Sequence, residues 1–419
     1  MRHVPPADSP PTPKATDVLV VGAGPAGSAA AAWAARSGRD VILLDAATFP
    51  RDKTCGDGLT PRAIAELDHL GLGDWVRERA VNKGLRLAGF GREVELPWPG
   101  GSLPSVGSAV PRTELDDRLR RTAVESGARM VEGAKAVGVT KDGGKVSAVT
   151  VKTAHGIESI DCNRLIVADG VRSTLGKELG RTWHRETAYG VAARAYVTSG
   201  RSDDPWITSH LELRDSTGKL QPGYGWVFPL STGEVNIGVG SLATVKRPAN
   251  VALRPLLELY AANRREEWQF EGPIRAVSSA LLPMGGSVSG VAGPNWALIG
   301  DAAGCVNPLN GEGIDYGLEG GRLVVDLLDE PDLTHIWPAL LRDRYGRAFS
   351  IARRLAGLAT VPGTVRAGGP PVLRSKALMR IAIRVMGNLV TEEDEDMTAR
   401  AWRGSGRASL RLDRRQPFA

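Results

Sequence analysis

Three glycine-acid signatures lie far apart in this chain, and together they constrain its fold more than any other feature. The first is Gly22-Ala23-Gly24-Pro25-Ala26-Gly27, set between the apolar run Asp17 to Val21 and the Ala-rich stretch Ser28 to Arg36. An apolar run without polar alternation reads as a parallel strand buried on both faces, and the Ala-rich stretch as a helix. In such a strand-turn-helix unit Gly22 permits the tight turn, Gly24 lets backbone approach a pyrophosphate, and Gly27 lets helix and strand pack closely. The helix start then presents free N–H groups and the positive end of a dipole, which suit an anion. The next strand, Asp40 to Leu44, ends at Asp45 and Ala46, about 20 residues beyond the glycines, where an acid accepts from a ribose hydroxyl.

Nicotinamide and flavin dinucleotides share an adenosine diphosphate end, so the first signature does not choose between them. The later ones do. Leu165 to Ala168 is a second short buried strand ending in Asp169-Gly170, and Trp296 to Ile299 is a third ending in Gly300-Asp301. Asp301 is of the type that holds ribityl hydroxyls, the alternative being an ordinary helix N-cap. After Pro308, the turn Gly311-Glu312-Gly313-Ile314 opens an apolar helix (Ile314, Leu318, Leu323, Val324, Leu327). Its positive end would face a flavin pyrimidine and stabilise the reduced anion. FAD is the expected cofactor.

Two further stretches carry a family resemblance. One is Phe49-Pro50-Arg51-Asp52-Lys53-Thr54-Cys55-Gly56-Asp57-Gly58-Leu59-Thr60-Pro61-Arg62; the other is Pro222-Gly223-Tyr224-Gly225-Trp226-Val227-Phe228-Pro229, followed later by Gly238-Val239-Gly240. On these residues the chain resembles FAD-dependent oxidoreductases with the fold of para-hydroxybenzoate hydroxylase, and within them the geranylgeranyl reductase family. The likeness runs from Thr16 to the C-terminus and is nearest to the branch that saturates one double bond in the isoprenyl tail of menaquinone. It implies that Cys55, Gly56 and Gly58 run beside the isoalloxazine, that Arg112 and Ala136 contact the cofactor, and that Tyr224, Trp226, Phe228, Gly238 and Gly240 meet the prenyl substrate. A flavin monooxygenase that hydroxylates an aromatic ring shares the three signatures and is the alternative. The Cys-Gly-Asp-Gly and Tyr-x-Trp-x-Phe-Pro stretches favour the reductase.

The expected architecture is α/β: a discontinuous Rossmann-type FAD domain of the para-hydroxybenzoate hydroxylase type from residues 16–84, 111–177 and 295–329. A mixed β-sheet substrate domain (85–110 and 178–294) is inserted, and a helical region (330–419) follows. The alternation in Tyr189 to Val197, His210 to Leu213 and Val235 to Val239 supports strands, and Asp142-Gly143-Gly144 marks a hairpin turn. A helix is expected from Arg112 to near Gly127, with Arg112 either a pyrophosphate clamp or a surface arginine. The Pro-rich Met1 to Ala15 is expected to be a disordered tail.

Composition excludes several classes. No apolar stretch approaches the ~20 residues of a membrane span, and Met1-Arg2-His3-Val4-Pro5-Pro6 lacks the apolar core of a signal peptide, so a cytoplasmic place is expected. Three scattered cysteines, Cys55, Cys162 and Cys305, and six histidines without metal spacing indicate neither a disulfide framework nor a metal site. A net charge of +6 is too modest and unpatterned for nucleic acid. Leu373 to Val390 reads as a basic amphipathic helix, with Lys376, Arg380 and Arg384 on one face and Leu378, Ile381, Val385 and Leu389 on another. Alone, such a helix more often packs on the core; a lipid substrate and the Arg-rich end from Arg400 to Arg415 shift the expectation to peripheral contact with the inner face of the cell membrane, against which the acidic run Glu392 to Asp396 counts.

An isoprenoid double bond has no carbonyl to accept charge, so hydride delivery to one carbon must accompany protonation of the other. Tyr224, Trp226 and Phe228 alternate on a strand and share a face, where they would tolerate developing positive charge. A core face is the alternative reading. Cys55, with an ordinary thiol pKa of ~8.5, is a candidate for proton delivery, for control of the flavin, or for simple packing beside the ring. The electron donor, the chain length and the double bond reduced stay open.

Overall fold

A computed structural model describes residues 12–419. Five parallel strands carry the first sheet, in the order Trp296–Leu298, Gly156–Val167, Ala15–Val21, Val41–Leu44 and Arg129–Val131. Their central residues, such as Val18, Leu19, Ile42, Leu43 and Ile166, are buried. That double-sided burial is why the runs lack alternation. The strand predicted at Leu165 begins much earlier, at Gly156, because its first half pairs with the hairpin Lys135–Asp142 and Lys145–Thr153, turned by Gly143-Gly144. The predicted tail lies outside the described residues up to position 11. At its end it is ordered: Lys14 O accepts from Asp161 N and Ala15 opens a strand.

The helix Pro25–Arg36 follows Gly24, with proline at its first turn, where a missing N–H costs nothing. Its alanines let the helix Ile314–Val325 come close: a Cβ on Gly321 would sit 2.6 Å from Ala26 O and 2.9 Å from Ala30 N. Small residues on both helices thus bring the start of the late helix alongside the start of the early one.

The second sheet has seven strands, in the order Phe270–Leu282, Tyr189–Ser199, Glu234–Ala243, Gly223–Pro229, Trp206–His210, Gly84–Gly89 and Arg92–Pro97. Its pairs are antiparallel except Trp206–His210 with Gly84–Gly89, which makes it mixed, as the alternation implies. The strand expected to run to Leu213 stops at His210. Beyond it the chain turns, with Leu211 N donating to Ala88 O and the Glu212 carboxylate accepting from Phe90 N. The three-residue strand Gly107–Ala109 joins Gly58–Leu59 to Ala80–Asn82 between the two sheets.

The C-terminal helices depart from the sequence reading in one respect. Leu373 to Val390 is not one helix: Thr364–Arg374 ends at Ser375, and Lys376–Met386 begins there. Ser375 Oγ accepts from Leu378 N, a helix-start cap that the apolar periodicity overrode. The buried face carries Met379, Ile383 and, beyond the helix, Leu389, whereas Leu378 and Ile381 are 47% and 43% exposed. Arg384 leaves the basic face as well, paired with Asp394 at 3.0 Å and Asp396 at 2.8 Å. Among the described residues no helix is long and apolar enough to cross a membrane.

Candidate active site

Both sheets border a single cavity of about 640 Å3. One end is a cradle of backbone and positive charge. Gly22, at φ +102, turns the chain so closely under Ala168 that a side chain would overlap the Ala168 carbonyl, and Gly27 meets Gly22 in the same way. Gly24 faces the cavity with the guanidinium groups of Arg51 and Arg112 3.6 and 3.9 Å from the place a Cβ would take. Arg112 is buried, and its Nε and Nη2 donate to Asp116 at 2.6 and 2.7 Å; Arg51 reaches the same carboxylate at 2.8 Å. Burial works against the Arg112 charge, and the Asp116 carboxylate more than offsets it, so the guanidinium is held above its ordinary range. Arg112 is therefore no surface arginine.

Asp45 takes the amides of Ala23 and Ala47 on its two oxygens, at 2.8 Å each, and so pins the glycine turn to the neighbouring strand end. Asp301 lines the cavity beside Gly300 and Gly313, within 3.2 Å of Lys53 Nζ. Ala26, Gly170, Pro308, Gly311, Gly313 and Ile314 line it too. The N-terminus of Ile314–Val325 thus faces the cavity. Five expected cofactor residues sit behind this lining. Gly22, Gly27 and Asp45 build the turn, Ala46 is exposed at the strand end, and Ala136 is buried on Lys135–Asp142 opposite Val151. Asp169 also lies off the lining. It accepts from Leu175 N at 3.0 Å, while its Oδ1 is buried without a partner. A glycine cradle, two arginines and two helix starts fit a dinucleotide.

The other end is apolar. Tyr224, Trp226 and Phe228 share the cavity face of Gly223–Pro229, with successive ring centroids 6.0 and 6.2 Å apart. The glycines of the cysteine loop are explained by this wall: a Cβ on Gly56 would meet Phe228 at 3.2 Å and Trp226 Nε1 at 3.3 Å, and one on Gly58 would meet Phe228 at 2.9 Å. Gly238 has a different task from the expected one. It is not part of the cavity lining; it leaves room for the indole of Trp226, which any side chain there would overlap. Gly240 does line the cavity.

Sequence reading missed the residues that tie the loop to this wall. Trp226 Nε1 donates to Asn236 Oδ1 at 3.0 Å, and Asn236 Nδ2 donates to Cys55 O at 2.9 Å and Asp57 Oδ2 at 2.8 Å. Tyr196 OH donates to the same Asp57 oxygen at 2.6 Å. Fully buried Arg194 pairs with Asp52 and donates to Lys53 O at 3.2 Å. The available signal was a polar residue, Asn236, within Val235 to Val239, and the period-2 pair Arg194 and Tyr196. Cys55 is held with its thiol accepting from Asp57 N at 3.3 Å, and burial raises it, so the thiol keeps its proton.

With the geometry described, similarity to known proteins decides the family. The FAD binding domain family matches residues 15–231. A menaquinone reductase of Mycobacterium tuberculosis is 64% identical over 403 residues, covering 96% of this chain and 98% of that protein. The chain belongs to the menaquinone reductase family. It is an FAD-dependent oxidoreductase. A digeranylgeranylglycerophospholipid reductase of Methanopyrus kandleri is 30% identical over 341 residues, covering 80% of this chain and 86% of that protein. A geranylgeranyl bacteriochlorophyll reductase-like protein of Thermoplasma acidophilum has the same fold, with a TM-score of 0.77 at 22% identity over 94% of this chain and 99% of that one. The para-hydroxybenzoate hydroxylase type of fold expected from the signatures is thus the one observed.

The loop clamp has a pH signature. Burial pushes the Asp57 carboxyl from near 3.8 up to about 6, although Tyr196, Asn236 and the charges of Arg112 and Arg194 oppose the rise. Well below pH 3.8 folded and unfolded chains both hold the proton. As pH rises from there towards 6 the unfolded chain loses it first, so this group withdraws stability, by about 3 kcal/mol once both are ionised. Urea unfolding of wild type and Asp57→Asn at pH 4 and pH 7 is expected to show the variant gaining about 2 kcal/mol on wild type over that interval. A pH-independent difference between the two proteins would contradict the burial of an ionisable Asp57.

Proposed function

We propose that this protein saturates a double bond in the isoprenyl tail of menaquinone, with the cavity holding FAD at its polar end and the tail at its apolar end. The observation that carries this reading is the joining of the two ends: the same Cys55 to Gly58 loop borders the cofactor cradle and packs on the Tyr224, Trp226 and Phe228 wall. Relatives named as reductases of menaquinone and of digeranylgeranyl lipids support it over the aromatic hydroxylase alternative.

Reduced FAD supplies hydride. The protein positions a flexible apolar chain against that source and keeps water away while charge develops. Aromatic faces at Trp226 and Phe228 stabilise positive charge on the alkene carbon that hydride has yet to reach. Tyr224 donates to the Asn310 carbonyl and so joins the wall to the Pro308–Gly313 turn. Cys55, its proton retained, positions the loop and contributes a neutral donor beside the cradle.

The tail enters from the C-terminal helices. Leu355 and Leu358 of Arg347–Ala359 both line the cavity and are 41% and 54% exposed, which marks the mouth. Exposed Val361, Leu378 and Ile381 lie on the same helical region, with exposed Lys376 and Arg380 on Lys376–Met386. Apolar groups flanked by cations suit the surface of an anionic bilayer, at about 1 kcal/mol for each cation. We place the protein on the inner face of the cell membrane on these grounds.

Two tests follow. Holoenzyme, dithionite and menaquinone in detergent are expected to yield a product two hydrogens heavier in its tail, and Trp226→Ala is expected to lower kcat/KM at least tenfold at unchanged flavin content; reduction of the quinone ring alone would contradict the assignment. Cosedimentation with phosphatidylglycerol vesicles is expected to fall about fivefold in Leu358→Glu/Ile381→Glu, an effect of about 1 kcal/mol. Equal binding by both proteins would remove the helices from the membrane surface.

A further inference from the structure

Alkene reduction needs a proton as well as hydride, and a donor inside an apolar cavity must be neutral before it reacts and must have a way to recover its proton. We propose that Glu312 is the acid that protonates the isoprenyl double bond, and that Asp315 returns the proton from a separate polar cleft. The proposal rests on the reductase reading and adds the donor and its supply route.

Glu312 sits in the Gly311–Gly313 turn and lines the cavity between the cofactor cradle and the helix Lys376–Met386. Its Oε1 accepts from the Thr60 hydroxyl at 2.8 Å and, more weakly, the Thr60 amide at 3.4 Å. Its Oε2 is buried and has no partner. Leaving a carboxylate oxygen without a donor in such a place is costly. A carboxylic acid whose hydroxyl points to a ligand is the arrangement that removes this cost. Burial and then the Asp315 charge push Glu312 well above the ordinary carboxyl range, against the two Thr60 bonds, which favours its protonated form.

Behind it lies a second acid. Asp315 is fully buried three residues on, in the first turn of Ile314–Val325; its Oδ2 accepts from Asn388 Nδ2 at 2.8 Å and its Oδ1 from Tyr316 N at 2.7 Å. Burial lifts it to about 6, with Asn388 and Arg62 opposing. Asn388 and Arg62 in turn line a polar cleft of about 340 Å3, together with Glu66, Glu319 and Arg322. Glu312 thus lines the apolar cavity, and Asp315 is bonded to Asn388, which lines the charged cleft. Among the described residues no ion pair accounts for the two carboxyls: Arg62 bonds to the carbonyls of Asn388 and Val390 and approaches Glu319 at 3.9 Å.

Hydride leaves reduced flavin with both electrons and forms one C–H bond; the Glu312 O–H bond breaks and its proton forms the other. Oxidised flavin and the Glu312 carboxylate remain, and Asp315 passes a proton to Glu312 and takes one from water in the cleft.

The test compares FAD-loaded wild type, Glu312→Gln, Asp315→Asn and Cys55→Ser in the tail-reduction assay, with flavin content and infrared spectra at pH 7. Glu312→Gln is expected to lose 100-fold or more in turnover, the range of a general acid, at unchanged flavin content. It is also expected to lose the infrared band of a protonated buried carboxyl. Asp315→Asn is expected to turn over more slowly and to recover part of the loss as pH falls. Turnover of Glu312→Gln within threefold of wild type, persistence of the infrared band, or loss of flavin along with activity would each overturn the proposal, as would inactivity confined to Cys55→Ser. Failure of wild type to add hydrogen to the tail would instead sink the reductase reading.

Discussion

The contact on which the site depends is the seating of a glycine-rich loop under an aromatic strand. Gly56 and Gly58 lie where any side chain would press on Trp226 and Phe228, and the chain of bonds from Trp226 through Asn236 to Cys55 and Asp57 fixes the loop in place. The loop belongs to the segment that carries Arg51 and Lys53 into the cofactor cradle, so one clamp sets the distance between the polar and apolar ends of the cavity. It is built from buried polar groups, which are costly unless every member is bonded. Asp57, with one oxygen doubly bonded and the other orphaned, is the member under most strain of this kind. Its backbone, at φ +63, adds a conformation that aspartate tolerates better than most residues.

Parallel strands and glycine turns were legible because their physics is local. Buried runs such as Asp17 to Val21 and Trp296 to Ile299 lack alternation, and each ends in a glycine or acid. The same holds for Tyr224, Trp226 and Phe228, whose shared face follows from a period of two. What was not legible depends on partners distant in the chain. Asn236, Tyr196 and Arg194 look like ordinary polar positions in a half-buried sheet until Asp57 and Asp52 arrive from far upstream. Gly238 reads as a substrate contact from its motif, and its use as space for an indole shows only in three dimensions. Apolar periodicity runs unbroken through Ser375, so the split there depends on a single capping serine, and Asp394 and Asp396 of the acidic run neutralise Arg384 directly.

Charge is distributed with a clear division. Arginines 51 and 112 gather beside the glycine cradle, held by Asp116, while Glu312, whose Oε2 has no partner, lines the cavity and Asp315 is buried with both of its oxygens bonded. A flavin that gains negative charge on reduction and an alkene that gains positive charge on protonation call for opposite surroundings within one cavity. The fold supplies them from two helix starts on one side and an aromatic strand on the other.

An anaerobic single turnover tests the joint occupancy of the cavity most directly. Holoenzyme is photoreduced, mixed with one equivalent of menaquinone, followed by flavin absorbance, then exposed to air so that any quinol returns to quinone before mass analysis. The account predicts one saturated double bond for each flavin reoxidised, at matching rates. Flavin reoxidation with a tail of unchanged mass would contradict it.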